Sequence, residues 1–455
     1  MQRFLDRHLF TSVSIAPLAT FRVFFGVLMF LSTLRFMLKG WVYDLYVKPV
    51  YYFTFYGFDS IKPFNETGMY TVFGLMLLAT LLITFGLFYR VAIVSFFLLF
   101  TYVELLDKTN YLNHYYFISL MSFILIWLPA NRSFSLDVLW RKKPSFSEIP
   151  AWTINIIKFQ LGVVYFFAGV AKINYEWLFE AQPLINWLKH QTELPILGPL
   201  MRYDATAYAF SWFGCIYDLS IPFILLSKRL NVYGYLAVIF FHVLTWAMFP
   251  IGVFPWVMIV STTIFFPVGF HQNIISFFQK IFHINQSPNT KHQTPNTKHQ
   301  LVKPIILTYI IIQLVLPFRY IFYPGKLFWT EQGFRFSWRV MLIEKAGYAE
   351  FYISDKDYKG HLLVDNKLFL TPQQEKMMST QPDMILQYAH HLRDVYKNRI
   401  IIEGADTIVI DEPIVNVNSK VSLFNKGSQQ FINPEVDLAT TERGFKHKDW
   451  VLPYE

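Results

Sequence analysis

A single lysine, Lys172, stands at the end of a long apolar run in the segment VVYFFAGVAKINYEW. Ionisable side chains at membrane depth cost free energy unless they have a partner or a task, so they are the best pointers to function here. One interpretation is a lysine that marks a helix end and extends its ammonium towards water. The other is a general base, because partial desolvation by an apolar helix favours the unprotonated amine.

A polar cluster fills the segment DKTNYLNHYY, residues 107–116, just before another apolar run. It brings together Asp107, Lys108, Asn110, Asn113 and His114. A lone interfacial histidine is more often a hydrogen-bonded anchor than a catalyst. We expect the cluster on the same side of the membrane as Lys172, which makes His114 a candidate partner for that lysine.

Two further ionisable residues fall inside apolar runs. His242 lies in FFHVLTW, where it either forms a helix–helix hydrogen bond or lines a ligand pocket. Asp218 lies in GCIYDLSIPF and is followed by Pro222, which can kink a helix. Its carboxylate suggests a proton relay or a paired charge, and a structural ion pair with an arginine such as Arg22 is an equal alternative.

Several common catalytic signatures are missing from the sequence. It contains no G-x-x-x-x-G-K-[ST], G-x-S-x-G or H-E-x-x-H pattern, which argues against a phosphate-binding ATPase, a serine hydrolase and a standard zinc peptidase. Cys215 is the only cysteine, so neither an intrachain disulfide nor a cysteine-based zinc site can form. We therefore expect no metal cofactor.

The composition indicates the elements that must position these residues. Of 455 residues, 54% are hydrophobic and 16% are charged, whereas soluble globular chains carry roughly 25% charged residues. Runs long enough to span a bilayer predict about nine transmembrane helices, with a break placed at the Tyr89-Arg90 pair. The predicted spans are residues 15–38, 71–88, 91–105, 115–128, 154–171, 205–226, 232–249, 253–270 and 304–320.

Lysine and arginine are concentrated in alternate loops, which we take as the inner ones, and an odd span count then places the C-terminal part outside. The net charge of +9 therefore reflects orientation and contact with membrane lipids, and gives no reason to expect nucleic acid. Residues 288–300 contain PNTKHQ twice, which predicts a flexible inner linker within residues 284–303.

A composition change divides the chain into a transmembrane helical domain, residues 1–323, and a soluble outward-facing domain, residues 324–455. In the second domain we expect strands at residues 338–353, 361–370, 399–410 and 413–424, and an amphipathic helix at residues 383–397. The predicted fold is thus mainly α, a polytopic membrane bundle followed by a strand-rich α+β domain.

The run YFFAGVAKINYEW resembles the segment of the vitamin K-dependent gamma-glutamyl carboxylase family that holds its catalytic lysine, and Lys172 falls on that lysine. DKTNYLNHYY resembles the family segment whose histidine assists that lysine, which assigns the role to His114. YDLSIPF, FHVLTWAMFPIGVF, LPFRYIFYPGKLFWTEQGFRFSW and FINPEVDL resemble later blocks in the same order. The chain is shorter than the vertebrate members, which favours a bacterial-type homologue with an HTTM-like membrane domain.

The resemblance implies a membrane enzyme that converts peptidyl glutamate to gamma-carboxyglutamate with reduced vitamin K, as phylloquinol or menaquinol, together with dioxygen and carbon dioxide. Lys172 would deprotonate the quinol, which would leave as an epoxide. The peptide would arrive on the outer face, periplasmic in a bacterial inner membrane or lumenal in an endoplasmic reticulum. The residues expected in the substrate or quinol pocket are His242, Asp218, Asn113, Asp107 and Trp338.

Two alternatives stay open at this point. One is a quinol epoxidase or oxygenase that does not carboxylate a peptide. The other is a non-enzymatic membrane protein that binds or transports a quinone or a lipid, although the sequence has no clear inverted repeat of the kind that many transporters contain.

Overall fold

The computed structural model of the protein describes residues 9–282, 299–356, 358–403 and 406–455. It is mainly helical, with a C-terminal part that contains small sheets, which confirms the expected fold class.

Two short strands, β1 (Ser12–Ser14) and β2 (Glu148–Pro150), pair antiparallel beside the bundle. The bundle helices are α1 (Ala16–Leu38), α2 (Trp41–Tyr46), α3 (Glu66–Phe85), α4 (Tyr89–Leu106), α5 (Asn113–Trp127), α6 (Leu136–Leu139), α7 (Trp152–Lys172), α8 (Tyr175–Phe179), α9 (Leu184–Leu188), α10 (Asp204–Leu226), α11 (Asn231–Met248), α12 (Phe254–Thr262), α13 (Val268–Ile281) and α14 (His299–Val315).

Seven helices of the described chain are long and apolar enough to cross a membrane, so the protein is a multi-pass membrane protein. They are α1, α3, α4, α7, α10, α11 and the segment Val302–Phe322, which continues α14 through a 3-10 turn. The predicted span at residues 115–128 is instead the 15-residue helix α5. A helix of that length extends about 22 Å, less than the roughly 30 Å of the hydrocarbon core.

The predicted break before the Tyr89-Arg90 pair is present. Gly86 ends α3 in the left-handed conformation, at φ 64°, and Phe88 precedes α4. Asp137 caps α4, because its carboxylate accepts hydrogen bonds from the backbone N–H groups of Phe88 and Tyr89 at 3.0 and 3.2 Å. Two helices joined by a tight turn therefore replace one long helix.

The span predicted at residues 253–270 is not one straight helix. The chain forms one helical segment over Phe254–Phe265, then bends by 108° and continues as α13. Pro267 lies at the bend, where its ring and its missing N–H prevent a continuous helix. The predicted linker at residues 284–303 lies largely outside the described residues, and its described part, residues 299–303, begins α14.

A buried arginine joins α1 to the loops at the bundle end opposite Lys172. The Arg22 side chain is fully buried, and its guanidinium donates to the carbonyl oxygens of Ala130, Ser133 and Phe134, the first two at 2.9 and 3.3 Å. These acceptors belong to the loop that carries Asp137, so one cation satisfies several carbonyl groups that would otherwise be buried without partners.

The C-terminal part is built on a four-stranded antiparallel sheet in the order β4-β3-β7-β8, with a separate β5–β6 hairpin. The predicted amphipathic helix is confirmed as α17, and Met384, Tyr388 and Leu392, which are four residues apart, are all buried. The elements are α15 (Leu327–Thr330), β3 (Lys345–Asp355), β4 (Tyr358–Leu363), α16 (Pro372–Met378), α17 (Pro382–Tyr396), β5 (Arg399–Glu403), β6 (Asp406–Ile410), β7 (Ile414–Leu423) and β8 (Ser428–Gln430).

Three strand predictions were wrong in part. The strand expected at residues 338–353 begins only at Lys345, because Trp338 and Met341 take positive φ values that a strand excludes. The strand expected at residues 361–370 ends at Leu363, and a 3-10 turn follows. The strand expected at residues 399–410 is a hairpin of β5 and β6.

The strand-containing part packs on the bundle end that carries Lys172. Trp177 and Leu188, from α8 and α9, belong to the same buried cluster as Trp329 and Phe351 of the C-terminal part. The end of the bundle that follows Lys172 is therefore in direct contact with the C-terminal part.

We expect Arg22→Met to destabilise the folded protein by about 3 kcal/mol, because buried carbonyl groups lose a charged hydrogen-bond donor. The measurement is the midpoint of unfolding in detergent, with Arg229→Met as the control, since Arg229 is an exposed arginine at the same end of the bundle. Equal stability of the two variants would contradict the role assigned to Arg22.

Candidate active site

Lys172 is the last residue of α7, and its charged side chain is buried. Its Nζ lies 2.7 Å from Oδ2 of Asp218 on α10 and donates to the carbonyl oxygen of Ala168 at 3.2 Å. The ring of Trp177 also faces the ammonium, with its centroid 5.3 Å from Nζ. Each charge of the pair is neutralised by the other, which is the condition for burying either one.

Close packing of α7 against α10 makes this pair possible. A Cβ on Gly169 would lie 2.7 Å from Cγ of Leu219 and 2.8 Å from its backbone N, so no larger residue fits there without moving the helices. Gly169 lies about one turn before Lys172, and Leu219 follows Asp218. Asp218 thus pairs with Lys172 and not with Arg22, which lies at the opposite end of the bundle.

A second buried polar pair lies beside the first. Oη of Tyr165 is 3.0 Å from Nε2 of His242, which joins α7 to α11. The helix–helix hydrogen bond considered for His242 is therefore present. Nδ1 of His242 is buried and has no hydrogen-bond partner among the residues that the structure describes. A buried polar atom without a partner is costly, so this atom is available to a ligand.

Both pairs line one pocket, which we call the apolar cavity; it encloses about 860 Å³ that no atom occupies, a volume that includes space open to solvent. It lies among α7, α10, α11 and α12, and most of its lining is aromatic or aliphatic. Its polar lining residues are Tyr165, Lys172, Asp218, His242 and Thr245. An apolar pocket with a few convergent polar groups is typical of a site for a small ring compound.

A second cavity, with about 1660 Å³ of empty space, lies between the bundle and the C-terminal part, and we call it the charged cavity. Its lining includes four basic residues and one carboxylate, so its charge is predominantly positive. Ile251, Phe254, Val340 and Met341 line both cavities and form the wall between them. The charged residues of the lining are Arg35, Lys108, Arg335, Lys345 and Glu331.

His114, at the start of α5, lines the charged cavity and not the apolar cavity. Its ring centroid lies 5.7 Å from that of Phe254, and the ring centroid of His242 lies 5.5 Å from that of the same phenylalanine. The structure therefore does not bring His114 into contact with Lys172. The two residues face different cavities on either side of a shared apolar wall.

An ion network crosses the interface between the bundle and the C-terminal part. Asp383 of α17 accepts from Lys108 and from Arg335, each at 2.8 Å, and Lys345 pairs with Glu331 at 2.9 Å. Burial lowers the pKa of Lys108 to about 8, although Asp383 opposes the shift. Burial would raise the pKa of Asp383, but Arg335 and Lys108 hold it well below its usual range.

The three other residues that were expected in the substrate or quinol pocket lie in three different places. Asn113 lines the charged cavity and donates to the carbonyl oxygen of Arg339 at 3.0 Å. Asp107 is buried and accepts from Gln374 at 2.8 Å, a contact between the two parts of the chain. Trp338 is buried against Tyr116, with ring centroids 4.9 Å apart, and lines neither cavity.

Sequence reasoning missed Tyr165 and the wall residue Phe254, as well as the cations contributed by the C-terminal part. Tyr165 precedes Lys172 by seven residues, about two helical turns, so the spacing alone places both on one face of α7. No comparable signal exists for Arg335 and Lys345, because they reach the charged cavity only through the packing of distant segments.

Two family models together match most of the chain. The model of the HTTM domain matches residues 10–270, and the model described as "Vitamin K-dependent gamma-carboxylase, lumenal domain" matches residues 298–455. No solved structure matches the chain. Within the described residues, no group of three or more His, Cys, Asp or Glu side chains is placed to hold a metal ion.

The ion network predicts a pH dependence of stability. The pKa of Lys108 is 10.5 in the unfolded chain and about 8 in the folded protein, so between these values the unfolded state binds more protons. The cost of burying the charge is fully present below pH 8, and it is relieved as the pH rises, by up to about 1.4 kcal/mol per unit.

We therefore expect the wild type to gain stability relative to Lys108→Met between pH 8 and pH 10, measured as the difference in unfolding free energy in detergent. Lys397→Met, at an exposed lysine of the C-terminal part, is the control and should show no such trend. A difference that does not change with pH would contradict the shift at Lys108.

Proposed function

Because the chain belongs to the vitamin K-dependent gamma-glutamyl carboxylase family, we propose that it carboxylates peptidyl glutamate at the γ carbon and couples this reaction to epoxidation of reduced vitamin K. The observation that carries the proposal is the buried Lys172–Asp218 pair, which faces a cavity between apolar helices. A base at that position meets a lipid-soluble ligand away from water.

The apolar cavity fits a reduced naphthoquinone in two respects. Its aromatic and aliphatic lining suits the rings, and the ammonium of Lys172 and the unpartnered Nδ1 of His242 suit the polar oxygens of the ligand. When bound, the reduced naphthoquinone supplies, together with dioxygen, the oxygen base that removes the γ proton of glutamate, and it leaves as an epoxide.

Lys172 has the role of general base in this proposal, and Asp218 is its positioning residue. The pair is neutral as a unit whichever of its two members holds the shared proton, so it is stable in the apolar bundle. Lys172 accepts a proton from the ligand in the form in which Asp218 holds the shared proton and the lysine is a neutral amine. A proton taken from a ligand hydroxyl makes the pair net positive, next to the negative charge that this transfer leaves behind. Tyr165 holds the His242 ring in place through its hydrogen bond to Nε2.

The charged cavity is the proposed site of the glutamyl side chain. Its basic residues favour a carboxylate, and His114 and Asn113 line it on the side of the shared wall. This arrangement gives His114 contact with the peptide or with the reacting atoms rather than with Lys172. The peptide then arrives from water, while the quinol arrives through the bilayer.

The wall between the cavities excludes water from the base. Phe254, Val340 and Met341 are apolar, and an apolar lining would keep water away from the quinone-derived oxygen base until that base removes the γ proton. We further propose that the C-terminal part faces the outside of the membrane, which is the periplasm for a bacterial inner membrane or the lumen for an endoplasmic reticulum.

The direct test supplies purified protein with reduced vitamin K, labelled bicarbonate and a Glu-containing peptide. We expect both epoxide and labelled peptide from the wild type, and Lys172→Ala should lower both by about 10² to 10⁴-fold, the usual contribution of a general base. Lys189→Ala is the matched control, because Lys189 is an exposed lysine at the same end of the bundle.

Epoxide without labelled peptide from the wild type would replace the carboxylase proposal by a quinol oxygenase. Quinone binding that survives Lys172→Ala, with no turnover by the wild type, would indicate a binding or transport protein.

The apolar wall predicts that the coupling of epoxidation to carboxylation depends on the side chain of Phe254. We expect Phe254→Ala to raise the ratio of epoxide to carboxylated glutamate several-fold, because the opened wall admits water from the charged cavity. Phe254→Leu should keep the ratio near that of the wild type, and Phe223→Ala, at an exposed position on α10, is the control. An equal fall of both products in Phe254→Ala would mean that Phe254 only supports packing.

A further inference from the structure

A third concave surface lies on the other side of the ion network from the charged cavity, and we call it the basic cleft. It has about 1390 Å³ of empty space and shares Lys108, Glu331 and Arg335 with the charged cavity. One side is formed by residues 55–58, between α2 and α3, and another by residues 443–448 near the C-terminus. The cleft therefore lies between the two parts of the chain.

The charges that line the cleft do not balance. Five basic residues face it, and only two carboxylates, Glu331 and Asp383, do so, although Arg443 is paired with Asp59 outside the lining at 2.8 Å. Both carboxylates are already engaged, since Asp383 holds Lys108 and Arg335, and Glu331 holds Lys345. The basic residues of the lining are Lys108, Arg319, Arg335, Arg443 and Lys448.

Two of these cations have no carboxylate partner. The Arg319 guanidinium donates only to backbone carbonyl oxygens, those of Leu316 and Arg335, and carbonyls do not cancel its charge. Lys448 has no carboxylate within ion-pair distance in the described parts of the chain. Burial lowers the pKa of Lys448, Arg335 adds to the shift, and Asp383 opposes it. An anion bound in the cleft would oppose both effects.

The rim of the cleft is aromatic. Tyr56 and Phe445 are exposed, and their rings meet edge to face with centroids 5.1 Å apart, across the junction of the two parts. Aromatic side chains next to cations suit an extended peptide whose acidic residues alternate with other side chains. The cleft also adjoins the charged cavity, so a chain that has one glutamate there has its neighbouring residues near the cleft.

We propose that the basic cleft binds acidic residues of the peptide that flank the glutamate being modified. This inference rests on the proposed function. A membrane surface rich in anionic lipid is the competing occupant, but Lys108 and Arg335 lie deep in the cleft, where a planar bilayer does not reach them. The cleft then acts as a docking site that favours Glu-rich segments over isolated glutamates.

The test measures binding without catalysis. A fluorescent peptide of about 20 residues, with several glutamates, is titrated with detergent-solubilised protein in the absence of quinone, and its anisotropy gives the Kd. We expect Lys448→Glu to weaken binding about tenfold, since a repulsive charge replaces an attractive one. Added salt should weaken wild-type binding, because it screens the charges.

Matched controls separate charge from folding. Lys448→Arg should bind like the wild type, and Lys420→Glu, at an exposed lysine on β7, should leave the Kd unchanged. A peptide with its flanking glutamates changed to glutamine should bind the wild type as weakly as the original peptide binds Lys448→Glu. In turnover, Lys448→Glu should raise the KM for the long peptide and leave kcat for a five-residue Glu peptide unchanged.

The proposal is overturned if Lys448→Glu binds the Glu-rich peptide as tightly as the wild type, or if the flanking glutamates do not affect the Kd. It is also overturned if the substitution reduces only the binding of vesicles that contain phosphatidylglycerol. Peptide binding that depends on Lys448, in a protein that produces no carboxylated glutamate, would support the cleft and reject the proposed function, so the two failures are distinguishable.

Discussion

The pairing of Lys172 with Asp218 is the interaction on which the arrangement of the site depends. A buried ammonium is stable in an apolar bundle only beside a carboxylate, and the two side chains come from different helices. Their 2.7 Å separation requires α7 and α10 to approach closely, which the absence of a side chain at Gly169 permits. The position of the pair then fixes where the apolar cavity opens and which helices form its walls.

The second constraint comes from the proposed function, in which two dissimilar ligands must meet without exposing the site to water. In that proposal the quinol enters the apolar cavity from the bilayer, and the peptide enters the charged cavity from solution. Phe254 and its neighbours line both cavities, so they lie where the two ligands would come closest. Lys172 and His114 are consequently placed on opposite sides of one apolar wall, and neither residue needs the other as a hydrogen-bond partner.

Local sequence signals predicted what local physics determines. The apolar runs correctly predicted most of the spans. The Tyr89-Arg90 pair correctly predicted a turn between two helices, because an arginine at the centre of a bilayer is costly. Pro267 lies in a run apolar enough to predict one continuous span, so the sequence did not predict the 108° bend at this proline. Periodicity also predicted α17, since its buried residues recur every four positions.

Contacts between residues that are far apart in the chain could not be predicted from the sequence. Two partners were possible for Asp218, and only the packing of α7 on α10 selects Lys172 over Arg22. The charged cavity depends on Arg335 and Lys345, which are more than 200 residues away from Lys108 in the chain. Trp338 was expected in the pocket, but it packs in the core against Tyr116, at a backbone φ of 59°.

The most direct test of the central claim is an anaerobic cryo-electron microscopy structure of the protein with reduced vitamin K bound. The proposed role of Lys172 predicts the naphthalene ring in the apolar cavity, with one hydroxyl oxygen of the hydroquinone within about 3 Å of Nζ of Lys172. A ring bound in the charged cavity, or on the lipid-facing surface away from Lys172, would contradict it.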